Sequence, residues 1–296
     1  MNGPALSHDR DCLAAEEPLE IRVEGHSVAV VMRTPGEDDE LAAGFAVTEG
    51  LVRTARDVLE IRHQPHCLAS SRDGSAPPAP SDQAARDGSA RRGAARRSDG
   101  NLINVRLRRP ETLDLKRLTR HVFSSSSCGI CSKASIEAVR QPFPPIEDEF
   151  AFDTDVLLGL PTALASAQET FKRTGGLHAC ALFDVAGRLA VVREDVGRHN
   201  ALDKVVGWAL LRDRLPLRRH ILLLSGRASF EMMQKALAAG IPVVAAISAP
   251  SSLAVEFARE NGQTLVGFLR SERMNIYAGE NRVTVGGESR LQERRK

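Results

Sequence analysis

Three short apolar runs, Ile221–Leu224 (wholly apolar), Val243–Ile247 and Thr264–Phe268, constrain this chain's fold more than any other feature. Between them lie two helix-period stretches, Phe230–Ala239 and a second leading from Ser248–Ser251 to Asn261. Gly240 with Pro242 closes the first, and Gly262 closes the second. Strands that are apolar throughout are buried on both faces, and strands joined through a helix return parallel. The pattern predicts β-α-β-α-β with short connections. That is an α/β fold (α+β for the whole chain) with a largely parallel sheet covered by helices.

Upstream, Leu160-Pro161 is expected to open a helix carrying Leu164, Ala167 and Phe171, ended by Gly175-Gly176. Ala179–Phe183 and Leu189–Val192 read as a strand and its return around Asp184-Val185-Ala186-Gly187. A helix over Ala201–Leu211 follows the polar segment Glu194–Asn200. Nearer the N-terminus, Leu19–Val23 and Val28–Met32 read as a hairpin around Glu24-Gly25, and Pro35-Gly36 breaks it. Asp38 and Asp39 supply acidic caps for a core-packing helix over Glu40–Val52. Leu59–Arg62 and Leu102–Leu107 are further strands. Between them, Ala69 to Gly100 holds no Val, Ile, Leu, Met or aromatic residue. Such a segment cannot bury enough apolar surface to offset its ordering entropy, and we expect a disordered insertion. The expected division is a tail over 1–17, a smaller, mostly antiparallel β-rich module over 18–125 containing the 69–100 insertion, and a linker over 126–152. An α/β domain over 153–285 and a tail over 286–296 complete it.

Composition excludes several classes. A formal charge of +2 gives no overall field for nucleic acid or membrane. No apolar run approaches the ~20 residues of a membrane helix, and no signal peptide is visible. Five cysteines, mostly far apart, do not make a disulfide framework. A reducing, cytoplasmic setting is expected, where thiols persist.

Two of those thiols concentrate the chemistry. Ser124-Ser125-Ser126-Ser127-Cys128-Gly129-Ile130-Cys131 places sulfurs three residues apart in a flexible loop. Ser132 or Ser135 can cap a helix running through Val139, setting Cys131 at its positive end, where a thiolate becomes nucleophilic. The alternatives are half a zinc site or two quiet buried thiols. A structural zinc needs four closed ligands, and the chain has no second Cys-x-x-Cys. Cys180 is expected to be buried and inert, and Cys12 and Cys67 carry no assigned role.

In sheets of the expected kind, ligands bind beyond the carboxyl ends of the strands. Four polar segments fall there: Glu194–Asn200, Ser225–Ser229, Ser248–Ser251 and Arg270–Arg273. The middle two run into helix N-termini, which favour anions. Arg198, Arg227, Arg270 and Arg273 add charge suited to phosphate. With Ser225 and Gly226 they suggest a phosphorylated, nucleotide-like ligand, although small residues before helices also serve as plain caps. His199 reads either as an acid/base or phosphate donor, or as a capping residue. His178, heading an apolar strand, reads as a core histidine. Asp195 and Asp203 are expected to pair with Arg198 or Lys204.

Four segments together resemble the formate dehydrogenase accessory sulfur carrier family (FdhD/NarQ): Ser126–Cys131, Arg193–Lys204, Leu224–Met232 and Gly267–Tyr277. Asp39–Phe45 is similar to that family's early helix, and Arg193–Lys204 is the most specific of the matches. The resemblance runs from roughly residue 20 to residue 283, outside the insertion. It implies a sulfur carrier required for formate dehydrogenase activity, with sulfurtransferase chemistry through a cysteine persulfide. Sulfur would come from a cysteine desulfurase. It would pass to the molybdenum cofactor, in its bis-guanine-dinucleotide form, before that cofactor enters formate dehydrogenase. Cys128 matches the persulfide-bearing cysteine and Cys131 its companion. Phe268, Leu269, Arg270, Ser271, Glu272 and Arg273 match the stretch assigned to cofactor binding. The resemblance also implies a cytidine-deaminase-like three-layer sandwich for the C-terminal domain and a homodimer; with a lone Cys-x-x-Cys, no structural metal is expected. Ser132 is a departure, standing where the family commonly has glycine, but both sulfurs remain.

Three other functions compete. A zinc deaminase wants His-x-Glu followed by Pro-Cys-x-x-Cys. Here His178-Ala179-Cys180 lacks the glutamate, and the cysteine pair precedes the histidine. A thiol–disulfide oxidoreductase would carry its pair after the first strand of a thioredoxin-like unit. A non-catalytic chaperone that binds and protects the cofactor would not need Cys128 at all.

Overall fold

The structure, a computed structural model, describes residues 10–64, 100–112, 143–147 and 150–285. The Cys128–Cys131 loop with its expected helix, Cys67, and the 69–100 insertion except Gly100 lie outside the described residues.

Strands β1 (Glu17–Val23) and β2 (His26–Arg33) form the expected hairpin. Glu24 and Gly25 turn it with φ of 50° and 80°, the left-handed pair that suits a two-residue connection. With β3 (Val58–His63) and β4 (Leu102–Leu107) they make a sheet of order β2-β1-β4-β3. Its β1–β4 pairing is parallel and the other two are antiparallel. Helix α1 (Asp38–Thr48) packs Leu41, Ala42, Ala43 and Ala46 into the core shared with Leu19, Ile21, Ile103 and Val105.

The second sheet has six strands: β6 (His178–Asp184), β7 (Leu189–Asp195), β8 (His220–Leu224), β9 (Val243–Ala246), β10 (Thr264–Gly267) and β11 (Asn275–Ala278). Their order is β11-β10-β9-β8-β6-β7. The expected parallel arrangement holds for β8, β9 and β10. The β6–β7 hairpin and β11 add antiparallel pairings on either side, so the sheet is mixed. Alternation sorts its two faces. Ala179, Ala181, Phe183, Leu223 and Ala245 face α2 (Thr154–Ala167). Cys180, Leu182, Leu224, Val244 and Ala246 join the other core, with α4 (Arg198–Leu211), α5 (Phe230–Ala238) and α6 (Ser252–Glu260). A short β12 (Val283–Thr284) pairs with β5 (Phe152–Asp153).

Three local expectations shift. Helix α2 starts at Thr154, where the Asp153 side chain accepts from Asp155 N at 2.9 Å, and Pro161 lies inside it. Leu157, Leu160 and Leu164 are its buried stripe, and that apolar spacing decides the boundary over the proline. The helix ends at Gln168, so Phe171 belongs to a separate α3 (Glu169–Thr174) and is 41 % exposed instead of in line with Leu164. His199 and Asn200 stand in the first turn of α4, not in a loop before it.

The two expected modules share one continuous core. It closes where α1 crosses α4 backbone to backbone. A Cβ on Gly44 would lie 1.8 Å from Asp203 O, and one on Gly207 1.8 Å from Glu40 O. Only glycine fits at either place.

Candidate functional site

Because β7 and β8 run the same way and β6 runs opposite, the polar segments meet on one edge together with the head of β6. Backbone bonds join the head of β6 and the segments after β8, β9 and β10 into one surface. Ser225 N donates to Ala179 O at 2.9 Å, and Ile247 N to Leu224 O at 2.9 Å. Ala228 N donates to Ala249 O at 3.2 Å, and Ser251 N to Ala228 O at 3.0 Å. Phe268 N donates to Ser248 O at 3.1 Å.

On this surface Arg270 donates through Nη1 to Ile247 O and Leu269 O, and its N–H closes a turn on Arg273 O at 2.8 Å. Ser271, Glu272 and Arg273 project into solvent from that turn. Leu269 is fully buried beneath it. Phe268, at φ 52° and 42 % exposed, faces outward just before them.

The second half of the site surrounds Gly226. A Cβ there would lie 3.3 Å from His178 Nδ1 and 3.8 Å from Arg198 Cδ, so the glycine leaves room for the imidazole and the arginine stem. Arg198 Nε is buried with no hydrogen-bond partner among the described residues, as is Ser229 Oγ at the start of α5. Ser225 Oγ accepts from Ala179 N at 2.8 Å. Arg227 is exposed. His199 turns inward, 6 % exposed, with Nε2 2.8 Å from Glu231 Oε2. His178 is not a core histidine. It is half-buried, and neither ring nitrogen bonds to a described residue. Burial, then the charges of Arg198, His199 and Arg227, hold it below the ordinary imidazole range, while Asp195 works the other way. The sequence signal for His178 was its place at the head of an antiparallel strand, which brings it to this edge. Glu231 had no signal beyond its motif.

Most of the Arg193–Lys204 segment does something else. Asp195, fully buried, accepts from Gly197 N at 2.8 Å, Asn200 Nδ2 at 2.9 Å, Thr34 N at 3.1 Å and Lys204 Nζ at 2.9 Å. Lys204, also fully buried, donates to Thr34 O at 3.0 Å. Arg193 holds Glu40 at 2.6 and 2.9 Å. Asp203 pairs not with Arg198 or Lys204 but with Lys235 at 2.8 Å and Thr48 at 2.9 Å. These contacts bind the second sheet's helices to the β2–α1 segment. Cys180 is 1 % exposed, and burial, then Asp203 and Asp195, push its thiol well above the usual range, so it is inert.

Among the described residues no helix is long and apolar enough to cross a membrane. A family model described as FdhD/NarQ family matches residues 14–284. A protein named sulfur carrier protein FdhD from Mycolicibacterium paratuberculosis is 50 % identical over 279 residues, covering 92 % of each chain. One of the same name from Streptomyces avermitilis is 47 % identical over 288 residues, covering 95 % of this chain and 92 % of that one. A crystal structure of a candidate formate dehydrogenase accessory protein from Desulfotalea psychrophila superposes with a TM-score of 0.64 at 23 % identity, covering 93 % of this chain and 91 % of that one. Matched from end to end of both folded sheets, the chain belongs to the FdhD/NarQ family.

Proposed function

We propose that this chain is a sulfur carrier in the maturation of formate dehydrogenase. Its relatives carry the sulfur-carrier name, and Cys128 supplies the thiol such a role needs. In this reading the Cys128 thiolate attacks the outer sulfur of a cysteine desulfurase persulfide. The donor's S–S bond breaks, its thiolate leaves, and Cys128–S–SH forms. Cys131 then attacks the inner sulfur. Hydrosulfide departs toward the molybdenum cofactor, and the Cys128–Cys131 disulfide left behind is reopened by a dithiol reductant.

The observation that carries the reading is this cationic edge. Backbone bonds join the Ser225–Ser229, Ser248–Ser251 and Phe268–Arg273 segments there, Arg198 reaches Gly226 from the first turn of α4, and Arg227, Arg270 and Arg273 belong to the joined segments. A buried arginine N–H and a buried serine hydroxyl find no partner among the described residues. That donor set fits the diphosphates of a bis-guanine-dinucleotide cofactor, received as substrate. The outward ring of Phe268 offers a face for a guanine.

Two variants test it. Arg270→Ala with Arg273→Ala is expected to weaken guanosine diphosphate binding about tenfold by calorimetry while leaving sulfur loading on Cys128 unchanged. Cys128→Ala is expected to abolish formate dehydrogenase activity in cells that depend on this chain. Activity retained in that strain would leave a cofactor-binding chaperone as the better account.

A further inference from the structure

We propose that His178 is an anion ligand of this edge: its imidazole bonds to a phosphate-like or sulfate-like anion held between Arg198 and Arg227, and anion binding draws a proton onto the ring. The inference rests on the proposed function only in taking this edge as the place where anions are received.

Three observations carry it. The imidazole lies against Gly226, where any side chain would crowd it, so the ring's position is built into the loop after β8. Its nitrogens have no hydrogen-bond partner among the described residues, although the ring is half-buried. The neighbouring guanidinium of Arg198 likewise has a buried Nε–H with no partner among the described residues. A donor and a potential donor, side by side and unsatisfied, call for one acceptor between them.

The surrounding charges set the direction. Arg198 and His199 face His178 from α4, Arg227 from the β8–α5 loop, and Asp195 from β7. His199 lies against Glu231 of α5. Asp195, the carboxylate facing His178, is already committed to four donors. With no anion present, burial and the two arginines oppose a further positive charge. A bound anion cancels that field and gains a charge-assisted bond from the imidazolium. The two equilibria are reciprocal, since the anion raises the proton's affinity by the factor through which the proton raises the anion's. Anion affinity is therefore greatest below the pKa of the empty site. It falls as pH rises through the higher pKa of the occupied one.

The test is calorimetric titration with sulfate, which keeps its charge across the range used. Native protein is expected to bind about tenfold more tightly at about pH 5.5 than at about pH 8, with heats that depend on the buffer's ionisation enthalpy because a proton is taken up. His178→Gln keeps a polar group of similar reach without the titration. It is expected to bind with a pH dependence within about twofold, as is His178→Asn, each with an unchanged melting temperature. A native slope that survives in both variants, or native binding that is flat with pH, overturns the role of His178. No sulfate binding to native protein at any pH overturns the anion edge itself, and this inference with it.

Discussion

Gly207→Ala is expected to cost about 3 kcal/mol and to lower the melting temperature by roughly 8 °C. The added methyl would lie 1.8 Å from Glu40 O, 2.6 Å from Glu40 C and 2.8 Å from Gly44 N. All three are backbone atoms of the facing helix, so no rotamer change relieves the clash. The helices would have to move apart, and α1 is not free to move. Its Glu40 carboxylate is held by Arg193 and also lies 3.2 Å from Arg212 Nη1. Its Leu41 and Ala42 are buried against the first sheet. Gly159→Ala is the matched control. Gly159 sits inside α2 with nothing within 4 Å of the place an added methyl would take, and alanine there is expected to stabilise by about 0.5–1 kcal/mol. Urea and thermal unfolding of both variants measure the contrast. A Gly207→Ala protein as stable as the native one would mean that the two sheets are not joined at this crossing.

Asp195→Ala is expected to cost about 4 kcal/mol, because it strands a buried ammonium. Lys204 is fully buried, and Asp195 lies 2.9 Å from it. What remains near Lys204 is the Thr34 carbonyl at 3.0 Å and Glu37 at 3.7 Å. Thr34 N and Asn200 Nδ2 would lose their acceptor too. Arg188→Ala makes the comparison: it breaks an exposed ion pair while Asp184 keeps its bonds to Ala186 N and residue 188 N in the turn, and it is expected to change stability little. Chemical denaturation separates the two. Near-equal effects would refute the reading of Asp195 and Lys204 as the buried lock of this seam.

Local periodicity made much of the fold legible. The Glu24-Gly25 hairpin, the apolar strands β8, β9 and β10 and the helices between them are each specified within a dozen residues. The contacts that join the modules are not local. Arg193 finds Glu40, Asp195 finds Thr34 and Asp203 finds Thr48, each far away in the chain. Gly44 and Gly207 leave no hydrophobic pattern to read. The Arg193–Lys204 segment therefore looks like a site from sequence, yet only Arg198 and His199 stand at the candidate edge. The rest hold the first sheet against the second, and so fix the edge where Arg198 stands. Pro161 resembles a first-turn residue, but the Asp153 cap upstream and the Leu157–Leu160–Leu164 stripe carry the helix past it. The short strand Asn275–Ala278 follows a polar turn and has only one buried residue, so no alternation announced it. For His178 the strand's apolar composition pointed inward, whereas the antiparallel pairing with β8 places its first residue at the edge where the polar segments meet.

The central claim is that sulfur rides on Cys128. Native protein incubated with a cysteine desulfurase and L-cysteine, then subjected to intact and peptide mass spectrometry without reductant, tests it directly. The account predicts a gain of about 32 Da, one sulfur atom, on the peptide containing Cys128, removed by dithiothreitol and absent in Cys128→Ala. No added sulfur on Cys128 or Cys131, under conditions where the desulfurase itself is loaded, would contradict it.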